Sequence, residues 1–124
     1  MHPADRLTEQ CFGADAGVRY VAVYRHGELR MRQREGLDDA SGAESDRYEE
    51  LLVNPTLLTL ARQRGEIDCG GLTYLLIRYG NFFTFIHPLA GGHVNVGLEP
   101  GVDLDRVPRV LQEVIATWAA RDGG

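Results

Sequence analysis

The chain has 124 residues, 44% of them hydrophobic and 25% charged. That composition fits a single domain over residues 1–124 with a core of its own, and excludes a disordered chain. Thirteen basic residues against eighteen acidic ones give a net charge of −5, which disfavours nonspecific binding to nucleic acid or to an anionic membrane, since both need a positive field.

All thirteen basic residues are arginine, with no lysine. This reads as genomic codon bias, and a bacterial source is expected. Cys11 and Cys69 are the only cysteines. They sit in no paired motif, so a reducing, cytoplasmic setting is expected. Residues 1–10 lack the basic stretch and apolar centre of a secretory signal. No apolar run approaches the ~20 residues that span a bilayer.

The first element is a short helix. Pro3 suits its opening turn and Gly13 the position past its end, with Ala4, Leu7 and Cys11 on one face. A hairpin follows. Residues 18–25 are rich in Val and Tyr, His26 and Gly27 make a two-residue turn, and 28–35 alternate. Leu29, Met31 and Gln33 point one way and Arg30, Arg32 and Arg34 the other. The arginine row reads as a charged edge strand that resists aggregation. A patch for an acidic partner is the competing reading.

Residues 35–46 form a polar loop. A helical segment in two pieces comes next. Asp46 with Glu49 makes a capping box for the first, which carries Tyr48, Leu51 and Leu52. Pro55 stops it, and Asn54 caps a second piece in which Leu57, Leu58, Leu60 and Ala61 bury and Gly65 marks the end. Three strands then follow at 72–79, 82–87 and 93–98. Gly80 and Asn81 turn between the first two, and a loop at 88–92 joins the last two. In 72–79, Leu72, Tyr74 and Leu76 share one side, Leu75 and Ile77 the other. Val94, Val96 and Leu98 alternate with His93, Asn95 and Gly97 in a half-buried pattern. The final helix places Val107, Val110, Leu111, Val114, Ile115, Trp118 and Ala119 at helical period, with Asp105 as cap and Pro108 in the first turn.

The order α-ββ-α-βββ-α predicts an α+β domain with a five-stranded antiparallel sheet in the order 2-1-5-4-3. Its two edges differ. The second strand is defended by arginines; the third is apolar on both faces, a template for pairing with another chain.

Residues Gly70-Gly71-Leu72 through Ile77-Arg78-Tyr79-Gly80, then 88–92, then Glu99-Pro100-Gly101 into the last helix, make the chain resemble the roadblock/LC7 family, within the profilin-like folds. The resemblance implies a homodimer built through the third strand and the middle helix, with Leu57, Leu58, Ala61, Leu72, Tyr74, Leu76 and Arg78 at the dimer or partner interface. It also implies a scaffold or regulator, often of a small Ras-like GTPase. Pro55 departs from the family's continuous middle helix.

Catalytic signals are weak. Cys69 beside Gly70 and Gly71, with His87 as base, would be a nucleophile without a diagnostic motif, and Cys69 reads instead as a small buried hydrophobe. His87, His93 and Cys69 lack the paired spacing of a zinc site, and His93 reads as solvent-facing. Gly91 and Gly92 have no following lysine, so no phosphate loop forms. No enzyme activity, cofactor or metal is expected. A PAS-like sensor with a pocket lined by Tyr74, Phe83, Phe85 and Trp118 is the second reading.

Overall fold

The computed structural model describes residues 1–123. In chain order the elements are α1 (Pro3–Ala14), β1 (Val18–Arg25), β2 (Glu28–Gln33), α2 (Ala43–Tyr48), a π turn (Glu49–Val53) and α3 (Asn54–Asp68). Then come β3 (Leu75–Arg78), β4 (Phe83–Leu89), β5 (Gly92–Leu98), α4 (Val107–Trp118) and a second π turn (Ala119–Gly123). The strands form one antiparallel sheet in the order β2-β1-β5-β4-β3, as the sequence predicts. Among the described residues no helix is long and apolar enough to cross a membrane.

The β1–β2 hairpin closes at His26 and Gly27, whose φ values of 51° and 81° are those of a turn matched to strand twist. On one face of the sheet α1 and α4 bury Leu7, Cys11, Leu111, Ile115 and Trp118 against Val21, Val23, Phe85, Val94 and Val96. The Trp118 indole N–H donates to the Pro3 carbonyl at 2.9 Å, pinning the two helices together. Burial pushes the Cys11 thiol up to about 12, so it is an inert core side chain.

The other face carries the helical run 43–68, which differs from its sequence reading in three ways. It begins at Ala43 after Gly42, because the Asp46 carboxylate is already taken by Ser41 Oγ at 2.6 Å and Gln33 Nε2 at 3.2 Å and caps nothing. It does not stop at Pro55. The Asn54 N–H bonds the Glu49 carbonyl five residues back. That wider turn accommodates a proline that has no N–H for Leu51 and whose ring crowds the preceding turn. Nor does it end at Gly65. There the glycine lets the helix lie against the Gly71–Leu72 backbone, where a Cβ would meet Gly71 C at 3.1 Å, and the helix runs on to Asp68.

The sheet's last three strands also shift slightly. β3 starts at Leu75 rather than Leu72, because the preceding residues are held against α3 at Gly65 instead of pairing with β4. The 88–92 loop contracts to a turn at Ala90 and Gly91, with Pro88 beyond the end of β3. β2 ends at Gln33 rather than at residue 35. α4 begins at Val107, the Asp103 carbonyl accepting from the Arg106 and Val107 N–H groups, so Asp105 is not its cap.

Candidate association surface and the polar cluster beneath it

β3 hydrogen-bonds only to β4, so its outer edge presents unpaired backbone groups. The opposite edge, β2, carries the arginine row, which is spent on its own chain. Arg30 Nη1 lies 3.0 Å from Asp5 Oδ2. The Arg32 guanidinium sits 4.6 Å over the Phe12 ring. Arg34 reaches Glu99 at 3.0 Å and the carbonyls of Ala16 and Val18.

Around β3, Leu72 and Tyr74 lead into the strand and are half-buried. The Tyr74 ring lies 4.8 Å from Phe85, so it serves the core as well as the edge. Leu76, opposite Phe85 in register, stands exposed at the rim. The Arg78 guanidinium lies 5.1 Å over Phe83 and donates to the Tyr79 and Gly80 carbonyls. On α3, Leu57 and Ala61 are half-buried at the flanks. Leu58 is only 4% exposed and packs inside the protomer.

Sequence reasoning buried Leu60; the structure exposes it. Of the nine large hydrophobic side chains exposed among the described residues, seven lie on the middle helix or at β3: Tyr48, Leu51, Leu52, Leu60, Ile67, Leu76 and Tyr79. Leu60 and Ile67, both on α3, lie seven residues apart. That puts them on one stripe of a regular helix, away from Asn54, Leu58 and Gly65. The spacing was the signal available in the sequence. Soluble monomers rarely expose so much apolar surface without a use for it.

Beneath the helix lies the least expected feature. Glu50, in the π turn, is fully buried. Its Oε1 accepts from Asn54 Nδ2 at 2.9 Å and faces His93 Nε2 at 2.8 Å. Its Oε2 accepts from Tyr20 Oη at 2.9 Å and Asn95 Nδ2 at 2.7 Å. Asn95 Nδ2 also donates to Glu49 Oε1 at 2.9 Å, and Thr84 Oγ1 donates to Asn95 Oδ1. His93 is therefore not solvent-facing, and β5 is buried on both faces. A carboxylate opposite Nε2 fixes that nitrogen as the protonated one.

The electrostatics follow from burial. Desolvation and the Glu50 charge push the Tyr20 phenol far up, so it stays a neutral donor. Burial raises the Glu49 and Asp46 carboxyls above their ordinary range, with Glu50 adding to both. Four donors converge on one carboxylate, which is how a buried charge is made tolerable. One acceptor, Asn54 Oδ1, has no partner among the described residues. The arrangement fastens the middle helix to the sheet.

The other candidates disperse. Cys69 is exposed at the end of α3, its thiol 3.4 Å from Asp68 Oδ1, and is not the buried hydrophobe its sequence context implied. His87 bonds the Pro88 carbonyl, and burial lowers its pKa. Phe85 and Trp118 are core, with Tyr74 and Phe83 packed against it. Among the described residues no group of three or more His, Cys, Asp or Glu is placed to hold a metal ion.

No family model matches the sequence, and no curated protein matches it. Solved structures do. The gliding protein MglB from Thermus thermophilus aligns over 97% of this chain and 93% of its own, at 12% identity and a TM-score of 0.66. An MglB with tetrameric arrangement aligns over 97% and 90%, at 11% and 0.69. A roadblock/LC7 domain from Streptomyces avermitilis aligns over 91% and 92%, at 14% and 0.66. The resemblance read from residues 70–101 holds across nearly the whole chain: this protein has the roadblock/LC7 fold.

Proposed function

We propose that this protein is a homodimeric interaction module of the cytoplasm, a scaffold or regulator that does no chemistry of its own. The observation that carries the reading is the open β3 edge together with the apolar side chains exposed on α3. Pairing β3 with β3 of a second copy about a two-fold axis satisfies the edge and extends the sheet. Leu72, Tyr74, Leu76 and Arg78 then line the seam. Leu57 and Ala61 flank it, Leu60 and Ile67 widen it, and Leu58 supports the helix from below. At ~25 cal/mol per Å² of apolar burial, a few such side chains supply several kcal/mol before the cost of association. The tetrameric arrangement of one MglB structure supports self-association of this fold. A small Ras-like GTPase is the partner class that the family resemblance implies.

A PAS-like sensor needs a ligand cavity between sheet and helix. The Glu50 cluster occupies the middle of that space: the cleft beside Tyr20 and Glu49 measures about 20 Å³, room for one water, and the larger cleft of about 290 Å³ lies at its margin, open to solvent between Pro55, Leu58 and Arg62 of α3 and Tyr24, Gly91 and Gly92. Light scattering tests the dimer. Leu76→Asp and Ile67→Asp should each halve the mass of the wild-type particle with an unchanged circular dichroism spectrum. Arg109→Ala, at an exposed position of α4, should leave it alone. A dimer that survives both charged substitutions overturns the reading.

A further inference from the structure

The charge of this chain is not spread evenly. Residues 35–52 hold seven carboxylates and one arginine, whereas the rest has twelve arginines and eleven carboxylates. The whole net negative charge therefore comes from this segment. Elsewhere most carboxylates face an arginine, as Asp5, Asp15, Glu99 and Asp122 do. Glu35, Asp38, Asp39 and Glu44 are exposed, and none enters an ion pair among the described residues.

The loop is nonetheless held in place. Buried Arg19 donates to the Asp38 and Asp39 carbonyls at 3.0 and 3.4 Å while its other nitrogen binds Glu99. The backbone is thus anchored and the carboxylates are left to solvent. The same segment carries Tyr48, Leu51 and Leu52, exposed by 61%, 43% and 52%, with Glu44 one turn before Tyr48 on α2. An apolar patch with an unneutralised acidic border selects its occupant by charge.

We propose that residues 35–52 form a docking surface for a cationic amphipathic segment of a partner protein. Its apolar side covers Tyr48, Leu51 and Leu52, and its Arg or Lys side chains meet Glu35, Asp38, Asp39 and Glu44. The proposal rests on the reading of the chain as an interaction module. A second copy fits this surface poorly, because two such segments repel and most of the chain's arginines are already bonded or stacked within it. Asp46 bonds to Gln33 on β2, the edge opposite β3, so the start of this segment lies toward the edge away from a twin docked at β3.

The test is fluorescence anisotropy of the full chain with a labelled synthetic helix carrying Leu on one face and Lys on the other, beside a control with Glu for every Lys. The Leu/Lys helix should bind and the Leu/Glu helix should not. A Glu35→Gln, Asp38→Asn, Asp39→Asn, Glu44→Gln variant should weaken binding about ten-fold. Leu51→Ser with Leu52→Ser should weaken it comparably. Equal affinity for wild type and the four-carboxylate variant overturns the proposal. So does indifference to the leucine substitutions, which would reduce binding to bare charge. Sedimentation of the same samples separates the two claims. A dimer that does not distinguish the helices overturns this proposal alone. A monomer that distinguishes them supports it and overturns self-association.

Discussion

The two faces of the sheet are covered by different physics. Under α1 and α4 the contacts are Leu, Val, Ile, Phe and Trp, with Cys11 neutral among them. Under the middle helix the central contact is a carboxylate with four donors, and α3 itself buries only Asn54, Leu58 and Gly65. Apolar burial is non-directional, so the first face tolerates small slips. Hydrogen bonds to one charged group are directional, so the second admits one placement of the helix. The element proposed to meet a twin is therefore the one whose position is fixed by polar geometry. The π turn that carries Glu49 and Glu50 sets which side chains face inward and which face out.

Removing the carboxylate should break this contrast most severely. Glu50→Ala takes the acceptor from the buried donors of Tyr20, His93 and Asn54 and leaves Asn95 only Glu49, and should cost about 3–5 kcal/mol in denaturant unfolding. Leu111→Ala, on the apolar face, should cost about 2–5 kcal/mol. The two should differ in kind. Hydrogen exchange in Glu50→Ala should quicken first in residues 43–68, whereas Leu111→Ala should loosen α1 and α4. Matching exchange patterns would mean that the two faces are not held independently.

A smaller effect belongs to His93→Ala, which deletes one partner of Glu50 and should lose about 1–3 kcal/mol. A neutral result would mean that Tyr20, Asn95 and Asn54 suffice to hold the carboxylate. The smallest effect concerns pH. Asp46 and Glu49 bind protons more readily folded than unfolded, chiefly because burial disfavours their charge. Folding thus takes up protons where they titrate, and their contribution falls as pH rises through that window. An Asp46→Asn, Glu49→Gln variant should be the more stable chain at neutral pH. Its advantage should fade as pH falls toward the ordinary carboxyl values of 3.8 and 4.5. An advantage that persists in acid would assign the gain to something other than charge burial.

The apolar face was legible in the sequence. Ala4, Leu7 and Cys11 on α1, the Val-rich β1, the His26–Gly27 turn and the period of α4 each follow local rules, and together they lead to the strand order. The polar face was not, because His93 and Asn95 alternate with Val94 and Val96 just as solvent-facing residues do. The clue lay one level up. β5 is central in the predicted order, and the middle helix had to lie across its second face, so residues there could not be wet. Glu50 looked like any helix glutamate, since its burial depends on a π turn and an i→i+5 bond carries no sequence mark. Pro55 was visible, but a proline can be met by widening a helix as well as by ending it. The exposed surface around β3 and α3 was half legible. The exposed edge at β3 was foreseen, while the outer stripe of Leu60 and Ile67 was missed, Leu60 being taken for core because leucines in a helix usually are.

Amide hydrogen exchange at β3 tests the central claim most directly. In a single chain, the amides of Leu75–Arg78 that point away from β4 have no partner and exchange quickly. In the paired dimer those amides should be slow, and they should quicken on dilution and in Leu76→Asp. Fast exchange at the outward-pointing amides at every concentration would contradict the account.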